Sequence, residues 1–172
     1  SIQAAFVDFG LTKNGFLHIS DLQPQYFPSE KRGAESVGQK ISRKHRPPIQ
    51  KCLKKGDKVI VQVIKEGIGT KGPTLSSYLS IPGRYLVMMP GMNKVGVSRK
   101  IEDDQERKDM REALGSLKLP SGMGFILRTA GLGRGKRDLQ RDLNYLSRLW
   151  KKVVKRIKSE DGPALLYKES DL

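Results

Sequence analysis

Leu139, Leu143, Leu146, Trp150, Val153 and Ile157 follow one another at intervals of 4, 3, 4, 3 and 4 residues. Only an α-helix gathers such positions on one face, because its side chains repeat every ~3.6 residues. The segment therefore reads as a helix of about five turns with a single apolar stripe, and a stripe of that kind must lie against something. A dimeric coiled coil needs more repeats than this, so the helix is expected to pack on its own domain. Lys151, Lys152, Lys155, Arg156 and Lys158 crowd its C-terminal end, where the helix dipole favours cations. Gly162 and Pro163 end it, and residues 165–167 are a candidate start of a further strand.

The rest of the chain must supply that packing surface while carrying a large charge. Thirty-three Lys and Arg stand against 18 Asp and Glu, a net +15 over 172 residues. Nucleic-acid phosphate is the commonest counter-charge inside a cell. An anionic membrane would call for a long basic amphipathic helix with aromatic residues on its apolar face, whereas the basic residues here are spread more widely. One run covers 40–58, where eight Lys and Arg meet only Asp57, and a second covers 134–158. The hydrophobic share of 37% suits one globular domain or two small ones. The single cysteine, Cys52, excludes an intramolecular disulfide and any zinc site built on a cysteine pair. No apolar run approaches the ~18 residues of a membrane-spanning helix, and the N-terminus lacks the basic-then-apolar order of a signal peptide. The chain also lacks an initiator Met, as a processed chain or a fragment would. A reducing cytoplasm is the expected location.

The first 80 residues read as β-rich. Residues 3–9 alternate, with apolar side chains on both parities, as in a strand covered on both faces or curved within a small barrel. Gly10 and Asn14-Gly15 are turn signals, and Gly15 to Ile19 is the returning strand, with Phe16 and His18 on one face. Residues 23–56, rich in Pro, Gly and charge, read as a long connection of the functional or disordered kind, with a short helix near 48–54. Residues 57–65 form a strand, 67–72 a turn and 73–80 a last strand. Pro82-Gly83 marks a boundary. Beyond it come a strand at 84–89, a glycine-containing loop at 91–97, a helix at 103–117 and a strand at 123–128. The glycine-rich stretch Gly131, Gly133, Gly135 then leads into the long helix.

Arg128 and Thr129 close the strand before that glycine stretch. A guanidinium offers phosphate oxygens a planar donor fork, and a Thr hydroxyl with nearby backbone N–H groups can complete a small anion nest. The stretch Gly131-Leu-Gly133-Arg-Gly135-Lys136-Arg137 fails both the Walker A and the Rossmann spacing, so no ATP or NAD site is expected. Asp103 and Asp104 suit helix capping better than metal binding. Two His and scattered acids make no catalytic constellation.

Residues 5–10 (AFVDFG), 15–22 (GFLHISDL) and 56–63 (GDKVIVQV) resemble an S1 domain, the RNA-binding form of the OB-fold. Residues 83–90 (GRYLVMMP), 96–101 (GVSRKI), 119–124 (LPSGMG) and 128–131 (RTAG) extend the likeness over nearly the whole chain. Taken together the pattern resembles the ribonuclease E/G family, in which such an S1 domain precedes a small 5′-phosphate sensor. The resemblance implies an α+β fold: an S1/OB-type β-barrel over 1–82 whose first strand is missing, and a small α/β sensor module over 83–160 with one long C-terminal helix. Residues 161–172 would begin a segment leading to a further domain. A barrel without its first strand has an unpaired edge, which should lower its stability.

The same resemblance implies the sites. Phe6 and Phe16 match the family's base-stacking aromatics; the strand reading puts His18 on the face of Phe16, and Lys65 and Lys71, flanking the turn after the central strand at 57–65, suit phosphate contact. Arg128 and Thr129 would bind the 5′-terminal monophosphate of RNA, Arg99 would contact the same end, and Val87 would pack near the terminal nucleotide. No catalytic residue and no metal is expected in this segment. The family's nuclease domain, with paired metal-binding aspartates and a cysteine-pair zinc link, lies downstream of the sensor. The implied function is the RNA-binding and 5′-monophosphate-sensing portion of a Mg²⁺-dependent endoribonuclease acting in RNA processing and decay. This segment would be inactive alone, bind single-stranded RNA, and belong to a protein for which a homo-oligomer is open. The alternatives are a non-catalytic S1-domain factor of the ribosome or of RNA maturation, and a protein-binding scaffold using the apolar helix stripe.

Overall fold

The computed structural model of the chain describes residues 2–33, 35–39 and 41–168. Two compact units divide it. The first comprises Ser1–Glu35, Lys40–Leu79 and Gly162–Ala164, the second Ser36–Gln39, Ser80–Asp161 and Leu165–Leu172. The α+β class is as expected.

The strands up to Leu79 are β1 (Ala4–Val7), β2 (Gly15–His18), the two-residue β3 (Glu35–Ser36), whose Ser36 already belongs to the second unit, β4 (Gln62–Lys65) and β5 (Thr74–Ser76). Four of them form a sheet in the order β1-β2-β5-β4, and among the described residues it stays open, with β1 and β4 at its edges. Gly15 opens β2 instead of lying in the turn. A Cβ there would sit 2.3 Å from Leu75 Cδ1, so its packing against the core explains the glycine better than turn geometry does. The strand expected at 57–65 shortens to β4. The N–H of Ile60 bonds the Tyr26 hydroxyl at 3.2 Å instead of joining a ladder, while Val59 and Val61 still pack on the core. The outer half of this strand stays in water, Val63 and Ile64 being about half exposed.

That core contains Leu17, Ile19, Leu22, Phe27, Ile49 and Leu75. Leu22, Phe27 and Ile49 come from short 3₁₀ turns and from α1 (Ile49–Cys52). The long connection is therefore structural, a series of turns with apolar anchors rather than a free loop. Arg46 braces it by donating to the Ile41 carbonyl at 2.8 and 3.0 Å and to that of Ile19 at 3.1 Å. The buried Tyr78 hydroxyl donates to Glu35 Oε1, and Glu35 Oε2 accepts from the Ile41 N–H at 2.6 Å.

The second unit holds β6 (Ile81–Pro82), β7 (Leu86–Pro90), β8 (Met92–Asn93), β9 (Val95–Val97), α2 (Asp104–Gly115), β10 (Met123–Leu127) and α3 (Lys136–Ser159). Its sheet runs β6-β7-β10-β9, with β10 antiparallel to β7 and parallel to β9. The loop expected at 91–97 thus contains two strands. Gly91, at φ +79°, reverses the chain there, and α2 is the crossover that lets β9 and β10 pair in parallel. Asp103 caps α2, its Oδ2 accepting from the Glu106 N–H at 2.9 Å. The strand expected from Arg84 begins only at Leu86. One side of the sheet (Leu86, Met88, Val97, Phe125, Leu127) packs on Met110 and Leu114 of α2 and on Leu139, Leu143 and Leu146 of α3. The stripe of α3 faces inward as its spacing predicts, with Trp150 half-buried against the same core. Residues 165–167 form no strand; Arg156 holds this stretch by donating to the Leu166 carbonyl at 2.7 Å. No helix among the described residues is long and apolar enough to cross a membrane.

Burial, then the hydrogen bond to Glu35 and its charge, push the Tyr78 phenol well above its ordinary value of 10.0. Above pH 10 the unfolded chain therefore releases a proton that the folded chain keeps, and stability falls as pH rises, by up to ~1.4 kcal/mol per unit. We expect urea denaturation from pH 9 to about 11 to show a steeper alkaline loss for the wild type than for Tyr78→Phe. Parallel curves would remove this linkage.

Candidate nucleic-acid interface

The register of the first sheet decides which side chains share a face. Phe6 stands opposite Phe16, Phe16 opposite Thr74, and Thr74 opposite Lys65. These four residues form one row across all four strands, on the side away from Leu17 and Leu75. The Phe6 and Phe16 rings meet edge-to-face with centroids 6.0 Å apart, and Phe16 stacks on His18 at 6.5 Å and 29°. Lys71 Nζ lies 5.9 Å from the Phe16 centroid. Phe6 is 69% exposed, which no core role accounts for; Phe16 and His18 are half-buried, Lys65 and Lys71 exposed. His18 Nδ1 accepts from the Ser20 N–H at 3.1 Å, which orients the ring. All five residues expected to bind RNA thus lie on one sheet face or its rim. That face offers aromatic surface flanked by cations, as nucleobases and phosphates require.

The second candidate site lies at one end of the second sheet. Parallel pairing of Val97 with Leu127 carries Arg99 and Thr129 past the last rung on the same side. Antiparallel pairing of Leu86 with Leu127 brings Arg84 and Tyr85 there from the other direction, and the Arg128 N–H bonds the Tyr85 carbonyl at 2.7 Å. Arg84, Arg99, Arg128 and Thr129 are all exposed. Arg128 Nη1 donates to the Gly83 carbonyl at 2.5 Å. A guanidinium has five N–H donors, so the remaining ones are available to an oxyanion. Thr129 opens the turn Thr129–Gly131, whose Gly131 and Leu132 N–H groups bond the Arg128 and Thr129 carbonyls. Those two donors are unavailable to an anion, so the expected nest is narrower than the sequence suggests. Val87 pairs with Ile126 on β7, half-buried on the face opposite Leu86 and Met88, and is not part of the core.

Three features outside the expected residues shape this end. Asp142 of α3, buried at 6% exposure, accepts the N–H groups of Arg84, Tyr85 and Leu86 at 2.9, 2.8 and 2.8 Å. These donors go to a carboxylate instead of a neighbouring strand, which is why β7 starts at Leu86. Gly83 is required beside it, because a Cβ there would lie 2.7 Å from both carboxylate oxygens. The Tyr85 ring, lastly, has two guanidinium carbons over it, that of Arg84 at 5.9 Å and that of Arg134 at 5.0 Å from its centroid. Asp142 leaves one sign in the sequence. It stands three residues after Leu139 and four before Leu146, so a charge sits on the inward stripe, and a charge there needs partners.

Comparison with known proteins adds to the geometry. The family model described as the Ribonuclease E/G family matches residues 80–172. Ribonuclease E of Escherichia coli (strain K12) is 40% identical over 173 residues, covering 100% of this chain and 15% of the relative. Ribonuclease E of Haemophilus influenzae is also 40% identical over 173 residues, covering 100% and 17%. Ribonuclease G of Escherichia coli is 40% identical over 168 residues, covering 98% and 33%. The chain thus spans between 15% and 33% of the length of these relatives.

Removing the carboxylate leaves three backbone donors without it, that of Leu86 buried and those of Arg84 and Tyr85 part-buried. Asp142→Ala should lower stability by about 4 kcal/mol, since each hydrogen bond to a charged group contributes ~1.5–3 kcal/mol and relaxation recovers part of it. Asp138→Ala, on the same helix, loses only a solvent-exposed pair with Arg134 at 3.8 Å. It should change stability by no more than about 1 kcal/mol. Equal effects of the two variants in urea denaturation would contradict the role given to Asp142.

Proposed function

Because the chain belongs to the ribonuclease E/G family, we propose that it is the RNA-binding and 5′-monophosphate-sensing portion of an endoribonuclease of that kind. The observation that carries the reading is the Arg128 guanidinium, tied by one donor to the Gly83 carbonyl and exposed beside Thr129. A planar fork with one donor engaged and the others free suits the oxygens of a terminal phosphate. Thr129 adds a hydroxyl. Arg99 adds a cation at the same end of the sheet, and Val87 an apolar contact for the terminal nucleotide. A 5′-triphosphate would crowd this end and a 5′-hydroxyl would leave the fork unpaired.

Residues 1–82 then act as an S1 domain of OB type and 83–160 as the sensor module, with 161–172 leading onward. Phe6, Phe16 and His18 stack bases while Lys65 and Lys71 hold the adjoining phosphates. Two attachment points on one strand raise the effective concentration of RNA at a cleavage centre elsewhere in the protein. Mg²⁺ belongs to that centre. Among the described residues no group of three or more His, Cys, Asp or Glu is placed to hold an ion. On this reading phosphodiester hydrolysis takes place outside this segment. The site of action is the cytoplasm, where transcripts are processed and decay.

The test compares otherwise identical single-stranded RNAs ending in 5′-monophosphate, triphosphate or hydroxyl. The monophosphate form should bind tightest, and Arg128→Ala should erase the preference. Equal affinity for all three ends, unchanged by Arg128→Ala, would remove the sensor. Separately, Phe16→Ala should weaken binding of every RNA by about tenfold, because base–aromatic stacking contributes ~1–3 kcal/mol per base. An unaltered affinity would take Phe16 out of the interface.

A further inference from the structure

We propose that the solvent-facing side of α3 is a further RNA contact surface, a track for the phosphodiester backbone downstream of the held 5′ end. It extends the reading of the second unit as a 5′-end receptor and rests on that reading for its direction. Nine Lys or Arg and two Asp occur in the 24 residues of α3. Both acids are engaged, Asp142 by three backbone N–H groups and Asp138 by Arg134. Arg137, Arg141, Arg148, Lys151, Lys152 and Lys155 are all exposed. At 100° and 1.5 Å per residue they fall within about 100° of arc and extend over about 27 Å. Among the described residues none of the six forms an ion pair.

A helix face that only meets water mixes its signs. In the same unit α2 does so, with four acids and three bases over 12 residues. On α3 like charges stand four apart at Arg137 and Arg141, Arg148 and Lys152, and Lys151 and Lys155, each pair destabilising the helix. A counter-charge from outside relieves that repulsion. A membrane is disfavoured as its source, because the apolar stripe of α3 is buried in the core and cannot enter a bilayer. The remaining need is a flexible polyanion with charges at regular spacing, which describes single-stranded RNA. Its starting point suits the site. Arg134, two residues before α3, lies over the Tyr85 ring at the Arg128 end of the sheet.

The experiment uses the full chain with Arg137→Gln, Arg141→Gln, Arg148→Gln, Lys152→Gln and Lys155→Gln combined. Gln is a good helix former and like-charge pairs are removed, so the thermal midpoint should not fall. Affinity is measured against salt for 5′-monophosphorylated single strands of about 6 and about 20 nucleotides. For the longer RNA the slope of log K on log salt should drop by about 0.7 for each phosphate no longer neutralised, and the affinity gained by lengthening should vanish. The monophosphate-to-hydroxyl ratio should stay as in the wild type. Unchanged slope and length dependence would overturn the track. So would equal weakening of both RNAs, or a loss confined to binding of polyglutamate, which would mark the face as a protein-binding surface. Arg128→Ala should do the opposite, abolishing the end preference while keeping the long-RNA slope, so that failure of the sensor and failure of the track are read separately.

Discussion

A single buried carboxylate holds the proposed receptor end together. Asp142 gathers three successive N–H groups, and those bonds set the path of the chain from Gly83 to Leu86. The Gly83 N–H closes the same turn on the Leu86 carbonyl at 2.7 Å. That path aims the Gly83 carbonyl at Arg128, sets Tyr85 near two guanidiniums, and starts β7 where it can pair with β10. A charge inside a protein is expensive unless fully bonded. Here that requirement becomes a positioning device, because three donors from consecutive residues can meet one carboxylate in few arrangements.

The two units present different chemistry. The first offers flat aromatic surface with cations at its margin, which is tolerant of base identity because every base has a π-face. The second offers directed donors for an anion at the end of a sheet. Exposed apolar surface on Phe6 is unfavourable in water. Its persistence at the outer edge of a small sheet, against Phe16 instead of in the core, fits a surface kept for a ligand.

The sequence is most readable where one periodicity dominates. α3 is legible from its stripe and α2 from its acidic start and apolar face, while β2, β7 and β10 are legible from alternation between breakers. β8 and β9 are hidden because Gly91, Lys94 and Gly96 interrupt any alternation, and their strand character comes from pairing with distant partners. The same reason shortens the strand at 57–65, whose apolar pattern is correct but whose first half finds no ladder. The open sheet depends on which strands pair, and that is not written in local pattern. Of the candidate residues, the row of Phe6, Phe16 and Lys65 follows from register, which alternation can suggest but only pairing decides. Asp142 escapes a sequence reading because an acid beside Leu143 looks like surface unless the helix phase is followed residue by residue.

The carboxylate staple also bears on recognition as a thermodynamic event. A loop bonded at three consecutive amides has surrendered its conformational freedom during folding, before any ligand arrives. Docking of a chain end then orders little of the protein, and what remains to be immobilised is the nucleotide itself. In the proposed receptor, selectivity rests on fit to a pre-set loop, so that ends differing by one phosphoryl group are separated by shape and charge with little help from rearrangement.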